Sequence, residues 1–443
     1  MERALLIYEK GCDTIYITYE SEEYYMSAYL MPSDILLPDF STVDGSKWAV
    51  VACDQYTSEP EYWQKVSDRV AEAPSTLTLF LPEAFLEQGT ECVPGIHANM
   101  QSYLHNLLVT HKNKMIYLER TQSDGRVRRG LVGMIDLEQY DFSKNSRSLI
   151  RATEGTVIER IPPRLEIRHG AALELPHVML LVDDAEKTVI EPVAERAEAL
   201  PLAYDFDLAD GAGHVKGHFV ESIDVARINA ALSRLATPEY AAEHYGEGIA
   251  PLLFAVGDGN HSLATAKVAY EQIKEQYGER AKYHPARYAL VEIVNLHDEA
   301  LRFEPIYRVL FNVDVSDVLK SLQEYSFAQN GECEQQKTKF VSVGRRGVMH
   351  FAHPTEKLVV GTLQKFIDAY LAEHPEASVD YIHGTRAVEE LCCEENRIGF
   401  VYAGIAKDQL FPTVATEGVL PRKAFSMGNA ADKRYYVECR KIQ

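Results

Sequence analysis

The stretch that most narrows the folds open to this chain is LLFAVGDGNHSLATAK, residues 252–267. An apolar run from Leu252 to Val256 stops at Gly257-Asp258-Gly259-Asn260-His261-Ser262, and apolar residues then recur at helical spacing. A buried strand that turns this abruptly into a helix requires layers of both kinds, with the helix packed back on the sheet. The helix is expected to bury Leu263, Ala266, Tyr270, Ile273 and Tyr277, to be capped by Asn260 or Ser262, and to end at Gly278.

The turn carries more chemistry than a cap needs. The first helical turn leaves backbone N–H groups without partners, and Gly257 and Gly259 allow positive φ or close approach by a ligand. Two readings remain open from the residues alone. In one, Asp258 makes a local Asx bond and His261 is half exposed. In the other, the turn cradles a phosphate or carboxylate, with Asp258 and His261 available for proton transfer or metal contact.

Elsewhere strands and helices alternate. WAVVACD reads as a buried strand and PEYWQKVSDRVAEA as a helix, while MIYLERTQSDGRVRRGLVGMIDL reads as a hairpin turning at Ser123-Asp124-Gly125. HVMLLVDD, RYALVEIVNL, LRFEPIYRVLF and IGFVYAGI are strand-like, GTLQKFIDAYLAEH is helical, and GVLPRKAFSMGN is a loop. No internal repeat and no Pro/Gly/Ser linker appears. The expected organisation is an N-terminal extension over 1–30, a core with insertions over 31–310 and a C-terminal α/β region over 311–443. Met26 and Met31 both precede the first domain-like segment, and residues 1–25 are expected to be dispensable.

With 66 acidic against 45 basic residues, the net charge of −21 repels polyanions and argues against nucleic acid as a partner. No run of about eighteen apolar residues offers a membrane span, and the N-terminus lacks a signal-peptide pattern, so a cytoplasmic protein without a membrane partner is expected. The seven cysteines are odd in number and show no C-x-x-C pair, which suits reduced thiols. The phosphate loop G-x-x-x-x-G-K-[ST], the dinucleotide motif G-x-G-x-x-G after a strand and the zinc motif H-E-x-x-H are all missing.

Further candidates lie outside the turn. Asp54 and Gln55 end a strand, where α/β sites place catalytic groups, and Ser58 with Glu61 fits a capping box. Arg151, Glu154 and Arg164 form a polar group. Arg308 sits in an apolar strand and requires an anionic partner, because an unpaired buried guanidinium is very costly. Arg422 and Lys423 lie in a loop able to close over a ligand, and His383-Gly384 marks a helix start.

G-D-G-N-H-S followed by a helix resembles the D-G-H-H-R helix start of the bacterial and archaeal family catalogued as domain of unknown function 1015. WAVVACDQYTSEPEYW, RATEGTVIERIPPRLEIR, FEPIYRVL and GVLPRKAFSMGN resemble further blocks of that family, from about Ser33 onward. The resemblance implies an α+β fold with a ParB/sulfiredoxin-like mixed-sheet core, akin to a free-serine kinase. It also implies an anionic small-molecule ligand, ATP, ADP or another phosphorylated compound, bound by Gly257, Gly259, Asn260 and Ser262 with Arg308, Arg422 and Lys423. Phosphoryl transfer to a small hydroxylated metabolite would use Mg²⁺, with Asp258 as metal ligand or base, Asp54 or Glu59 as the alternative base, and His261 on the phosphate. Asn260, Ser262 and Tyr307 stand where the family usually has histidine, arginine and histidine. Those departures suit a second expectation, a non-catalytic sensor that kept the cradle and lost the chemistry.

Overall fold

The structure, a computed structural model, describes residues 28–156 and 158–443. Of the expected extension over 1–30, residues 1–27, with the segment 1–25 expected to be dispensable, lie outside them. Tyr29 and Leu30, placed by the expectation within that extension, donate their backbone N–H groups to the side chain of Asn229, and Leu30 is fully buried.

A nine-stranded mixed sheet organises the molecule. Its strands run in the order Leu202–Asp207, His214–Phe219, Ile116–Thr121, Val127–Asp136, Tyr288–Asn295, Met179–Val182, Phe254–Asp258, Ile150–Ala152, Tyr140–Asp141. The first five are antiparallel neighbours, whereas Tyr288–Asn295 pairs in parallel with Met179–Val182, and Phe254–Asp258 in parallel with Ile150–Ala152. The α+β class with a mixed sheet is therefore the architecture of the chain. The hairpin forms as its sequence reads: Gly125 takes φ +84 between strands Ile116–Thr121 and Val127–Asp136. Period-two alternation sends Ile116, Leu118 and Val132 to one face, and Tyr117, Leu131 and Ile135 to the other.

Helices Ser222–Leu235 and Asn260–Tyr277 cover one face. Helices Pro60–Val70 and Val93–Asn106, with residues 435–442, cover the other. A second sheet, antiparallel throughout, orders Arg345–Phe351, Gln336–Ser342, Arg397–Val401, Phe303–Phe311 and Ser378–His383, and Phe425–Met427 pairs with the start of Phe303–Phe311. Its core includes Met179, Leu181 and Ala255 of the large sheet, so the two sheets share one apolar cluster.

Beyond Met427 the chain returns to the N-terminal layer. Tyr435–Tyr436 pairs with Val50–Val51, Cys439 with Leu36, and Arg440–Lys441 with Leu173–Glu174. Trp48 donates its indole N–H to the carbonyl of Val437 at 2.9 Å. Beneath this seam runs a line of buried charge: Glu292 meets Arg128 at 3.2 Å and Arg434 at 2.9 Å, and Arg434 also binds Glu438, which accepts from Tyr204.

Several local expectations are corrected. WAVVACD gives only the short strand Val50–Val51, because Gly45–Trp48 is helical. The Ser58–Glu61 capping box does not form; Glu59 is the N-cap of helix Pro60–Val70 without a side-chain bond, and proline at the first position needs no N–H partner. Tyr277 is 51% exposed, because the buried stripe of its helix is Leu263, Ala264, Ala266, Ala269 and Tyr270. The GVLPRKAFSMGN loop contains the strand Phe425–Met427. Among the described residues no helix is long and apolar enough to cross a membrane.

Candidate functional site

The turn forms where the sequence puts it, between strand Phe254–Asp258 and helix Asn260–Tyr277. Gly259 is the N-cap, at φ 80 and ψ 28, a left-handed conformation that glycine adopts without steric cost. It replaces the expected cap by Asn260 or Ser262, and as a glycine it brings no side-chain bond to the helix start. A Cβ here would lie 3.1 Å from the Cα of Val178, so backbone conformation and space both select glycine. Gly257 serves packing. A Cβ there would stand 2.8 Å from the Met427 thioether and 2.9 Å from Leu181, so this glycine seats the second sheet against the first.

The six turn residues divide between two sides. On one side Asp258 accepts from the Gly259 N–H at 3.1 Å and pairs with Lys433 at 3.3 Å. Asn260 donates to Thr153 at 3.4 Å, while its carbonyl oxygen is buried without a hydrogen-bond partner among the described residues. Glu154 accepts from the backbone N–H groups of Lys423 and Ala424; burial, reinforced by Asp258, raises its carboxyl above the ordinary value.

On the other side Ser262 Oγ lies 2.9 Å from His177 Nε2, His177 Nδ1 lies 2.7 Å from the Tyr436 hydroxyl, and an Asp54 oxygen is 3.7 Å from Nε2. Glu83 pairs with Arg164, and burial raises the Glu83 carboxyl, with Asp54 adding to the effect. His261 is pushed down to about 4, first by burial and then by the cations Arg164 and Arg160, against a smaller opposing pull from Asp54. The imidazole is thus neutral at neutral pH, and two guanidinium groups act on the helix start. These arginines bring cationic charge to a turn that carries Ser262 at the motif's arginine position.

Behind this side lies a cavity of about 160 Å³. Leu79, Phe80, Met100, Leu263 and Ala266 are among the apolar walls, and the polar lining includes Ser262, His177 and Tyr436 with the ion pairs Glu83–Arg164 and Glu174–Arg168.

The remaining candidates fall elsewhere. Glu59 is exposed at the start of its helix, where its charge acts on Tyr56. Arg308 is fully buried, and its hydrogen bonds go to neutral groups: Gln364, the Tyr402 hydroxyl and the carbonyls of Ile306, Arg422 and Lys423, which make it a clamp on the 422–423 loop, while its charge also acts on the Glu154 carboxylate. Arg422 donates to the Tyr381 hydroxyl at 3.0 Å, and the Lys423 ammonium lies 5.3 Å from the same ring. The group of Arg151, Glu154 and Arg164 is split: Arg151 binds the carbonyls of Ser148, Ala250 and Pro251, Glu154 joins the Asp258 side and Arg164 the His261 side. His383 ends strand Ser378–His383, and Gly384 caps helix Thr385–Leu391.

A protein-built Mg²⁺ site does not fit this arrangement. Asp258 is held by an ammonium group and Glu154 by backbone donors, and no three His, Cys, Asp or Glu side chains converge to hold an ion among the described residues. Sequence reasoning missed His177, Lys433 and Arg160. A histidine between Pro176 and an apolar strand was the one available signal for His177.

No curated protein matches the chain. Among solved structures it resembles a free serine kinase in complex with AMP, with 11% identity over 72% of this chain and 93% of the other, at a TM-score of 0.38. It also resembles a conserved hypothetical protein from Pyrococcus furiosus, with 12% identity over 69% and 90% of the two chains at a TM-score of 0.33. SbnI from Staphylococcus aureus shows 8% identity over 67% and 82% at a TM-score of 0.34. Likenesses this distant assign no activity. The sequence model of the family described as protein of unknown function (DUF1015) matches residues 38–370, three quarters of the sequence, and the chain belongs to that family.

Proposed function

We propose that the protein binds a nucleotide or another phosphorylated small molecule at the Gly257–Ser262 turn, and that it transfers a phosphoryl group to a small hydroxylated metabolite. One observation carries the reading: the helix begins behind a left-handed Gly259 that offers no side-chain cap, beside the charges of Arg160 and Arg164. Backbone donors and the helix dipole favour an anion there, and Arg160 adds a charge-assisted bond. Phosphoryl transfer then depends on positioning and charge neutralisation, to which the protein contributes Arg160, Arg164 being matched by Glu83. Because Asp258 is engaged by Lys433, proton acceptance falls to the Asp54 side of the turn.

The Asp258–Lys433 pair also favours the second reading, a sensor that binds the same ligand without turnover. Calorimetric titration with ATP, ADP and inorganic phosphate, with and without Mg²⁺, tests both. Binding is expected without metal and is expected to weaken about tenfold or more in Arg160→Gln, an exposed position whose loss spares the core. Asp258→Asn is expected to keep affinity, since the charge removed is a neutralised one. Turnover of nucleotide separates enzyme from sensor. A wild-type protein that binds none of the three anions refutes both.

A further inference from the structure

We propose that His177 is the general base of the reaction and that the cavity behind it receives the carbon skeleton of the acceptor, a neutral alcohol of roughly six to eight non-hydrogen atoms. The inference rests on the phosphoryl-transfer reading above and adds to it the base and the substrate class.

Hydrogen bonding positions the histidine ring for that task. Tyr436 accepts the Cys53 N–H at 3.3 Å, and the same hydroxyl lies 2.7 Å from His177 Nδ1. The base role takes the tautomer in which His177 carries its proton on Nδ1 and shares it with the Tyr436 hydroxyl across 2.7 Å. This tautomer leaves Nε2 as a lone-pair acceptor, and Nε2 is the atom that faces Ser262 and Asp54. A base oriented by a third group and aimed at a hydroxyl is the arrangement that proton abstraction requires. Asp54, 3.7 Å away, stabilises the imidazolium that forms.

The acceptor's chemistry follows from the walls. A volume of about 160 Å³ matches one compact ring or a branched chain. Leu79, Phe80, Met100, Leu263 and Ala266 offer no partner to a charged or many-hydroxyl skeleton, whose burial there would cost its hydration. The two guanidinium groups of the lining are already matched, Arg164 by Glu83 and Arg168 by Glu174, so a carboxylate meets only paired cations there. One hydroxyl at the polar end is satisfied by Nε2 and Ser262. Ser262 and Arg164 belong both to the cavity and to the helix start, which sets the alcohol beside the bound anion.

The step balances without further reagents. The alcohol oxygen attacks the terminal phosphorus of the nucleotide while its proton passes to Nε2. The bond from that phosphorus to the bridging oxygen breaks, and the shortened nucleotide leaves with the electron pair. His177 returns its proton to solvent or product.

The test begins without nucleotide. Titration of the full chain with benzyl alcohol and cyclohexanol, followed by calorimetry or ligand-observed NMR, is expected to show saturable binding, with toluene weaker by about tenfold for want of the hydroxyl bond. Ala266→Leu fills the cavity and is expected to abolish alcohol binding while nucleotide affinity stays. Ala171→Leu, at a separate point of the wall, serves if that variant fails to fold. His177→Gln keeps a hydrogen-bonding side chain of suitable reach, so the alcohol should bind within a few-fold of wild type while its nucleotide-dependent phosphorylation falls about 10²- to 10⁴-fold. Nucleotide binding without alcohol binding up to tens of millimolar overturns the inference and leaves the proposed function standing. Alcohol binding without any nucleotide or phosphate binding overturns the base role together with that function. Undiminished turnover in His177→Gln overturns the base role alone.

Discussion

Replacing Arg434 by methionine tests what ties the end of the chain to the large sheet. Arg434 is 3% exposed, and Glu292 and Glu438 are fully buried. In Arg434→Met, Glu292 keeps Arg128 at 3.2 Å, whereas Glu438 keeps only the Tyr204 hydroxyl. Methionine fills most of the volume, so the dominant loss is electrostatic: one carboxylate is left in the interior without a cation, which costs about 3–5 kcal/mol. Against a total stability of about 5–15 kcal/mol, that is a large fraction. Burial alone would raise the Glu292 carboxyl, but Arg128 and Arg434 hold it below its ordinary value of 4.5. A lowered carboxylate stabilises the fold above its unfolded pKa, and that contribution is lost as pH falls through the folded value. The variant's deficit should therefore be largest at neutral pH and narrow below about pH 4.5. Urea unfolding followed by tryptophan fluorescence is the assay, since Trp48 and Trp63 are both buried in the layer that the chain end closes. The double variant Arg434→Met/Glu438→Leu removes the stranded charge and should recover most of the loss. A loss under about 1 kcal/mol in the single variant, the same at pH 7.5 and pH 4, refutes the reasoning.

Four other outcomes are expected. Gly259→Ala should lower stability by about 1–2 kcal/mol because alanine resists the left-handed backbone, while Gly259→Val should lose more through Val178; chemical denaturation reads both. His261 is held at about 4 against an ordinary 6.5, so its contribution is complete above pH 6.5 and is lost as pH falls toward 4; His261→Gln should flatten that part of the thermal stability profile. A chain beginning at Met26 should melt as the whole protein does, whereas one beginning at Met31 should melt lower for want of Tyr29 and Leu30, a difference that calorimetry would show. Duplex DNA should not be retained at physiological salt, given the charge of −21, and micromolar salt-sensitive binding in a filter assay would contradict this.

The strand, turn and helix of residues 252–278 were legible because each is set by near neighbours: an apolar run, a glycine that must go left-handed, and a periodic stripe. The hairpin of residues 116–136 was legible for the same reason. The partners of the turn were not. Ser262 meets His177 from 85 residues away, and His177 meets Tyr436 from 259, distances over which local patterning carries no information. Arg308 shows a subtler limit. The cost of a buried guanidinium correctly demands partners, yet its hydrogen bonds go to carbonyls and a hydroxyl while Glu154 interacts through charge alone, and residue type cannot tell which group plays which part.

The return of the chain end to the first layer also bears on the order of events during synthesis. Trp48 and Val437, joined by a hydrogen bond, are 389 residues apart, which at about 5–20 residues per second separates their emergence from the ribosome by roughly twenty to eighty seconds. For that interval the strand Val50–Val51 has no edge partner, and His177 has no tyrosine to orient it. The nascent chain must hold an apolar layer open until residues 435–442 arrive. A ribosome stalled before Tyr435 would carry a polypeptide whose Val50–Val51 edge and His177 both lack their partners.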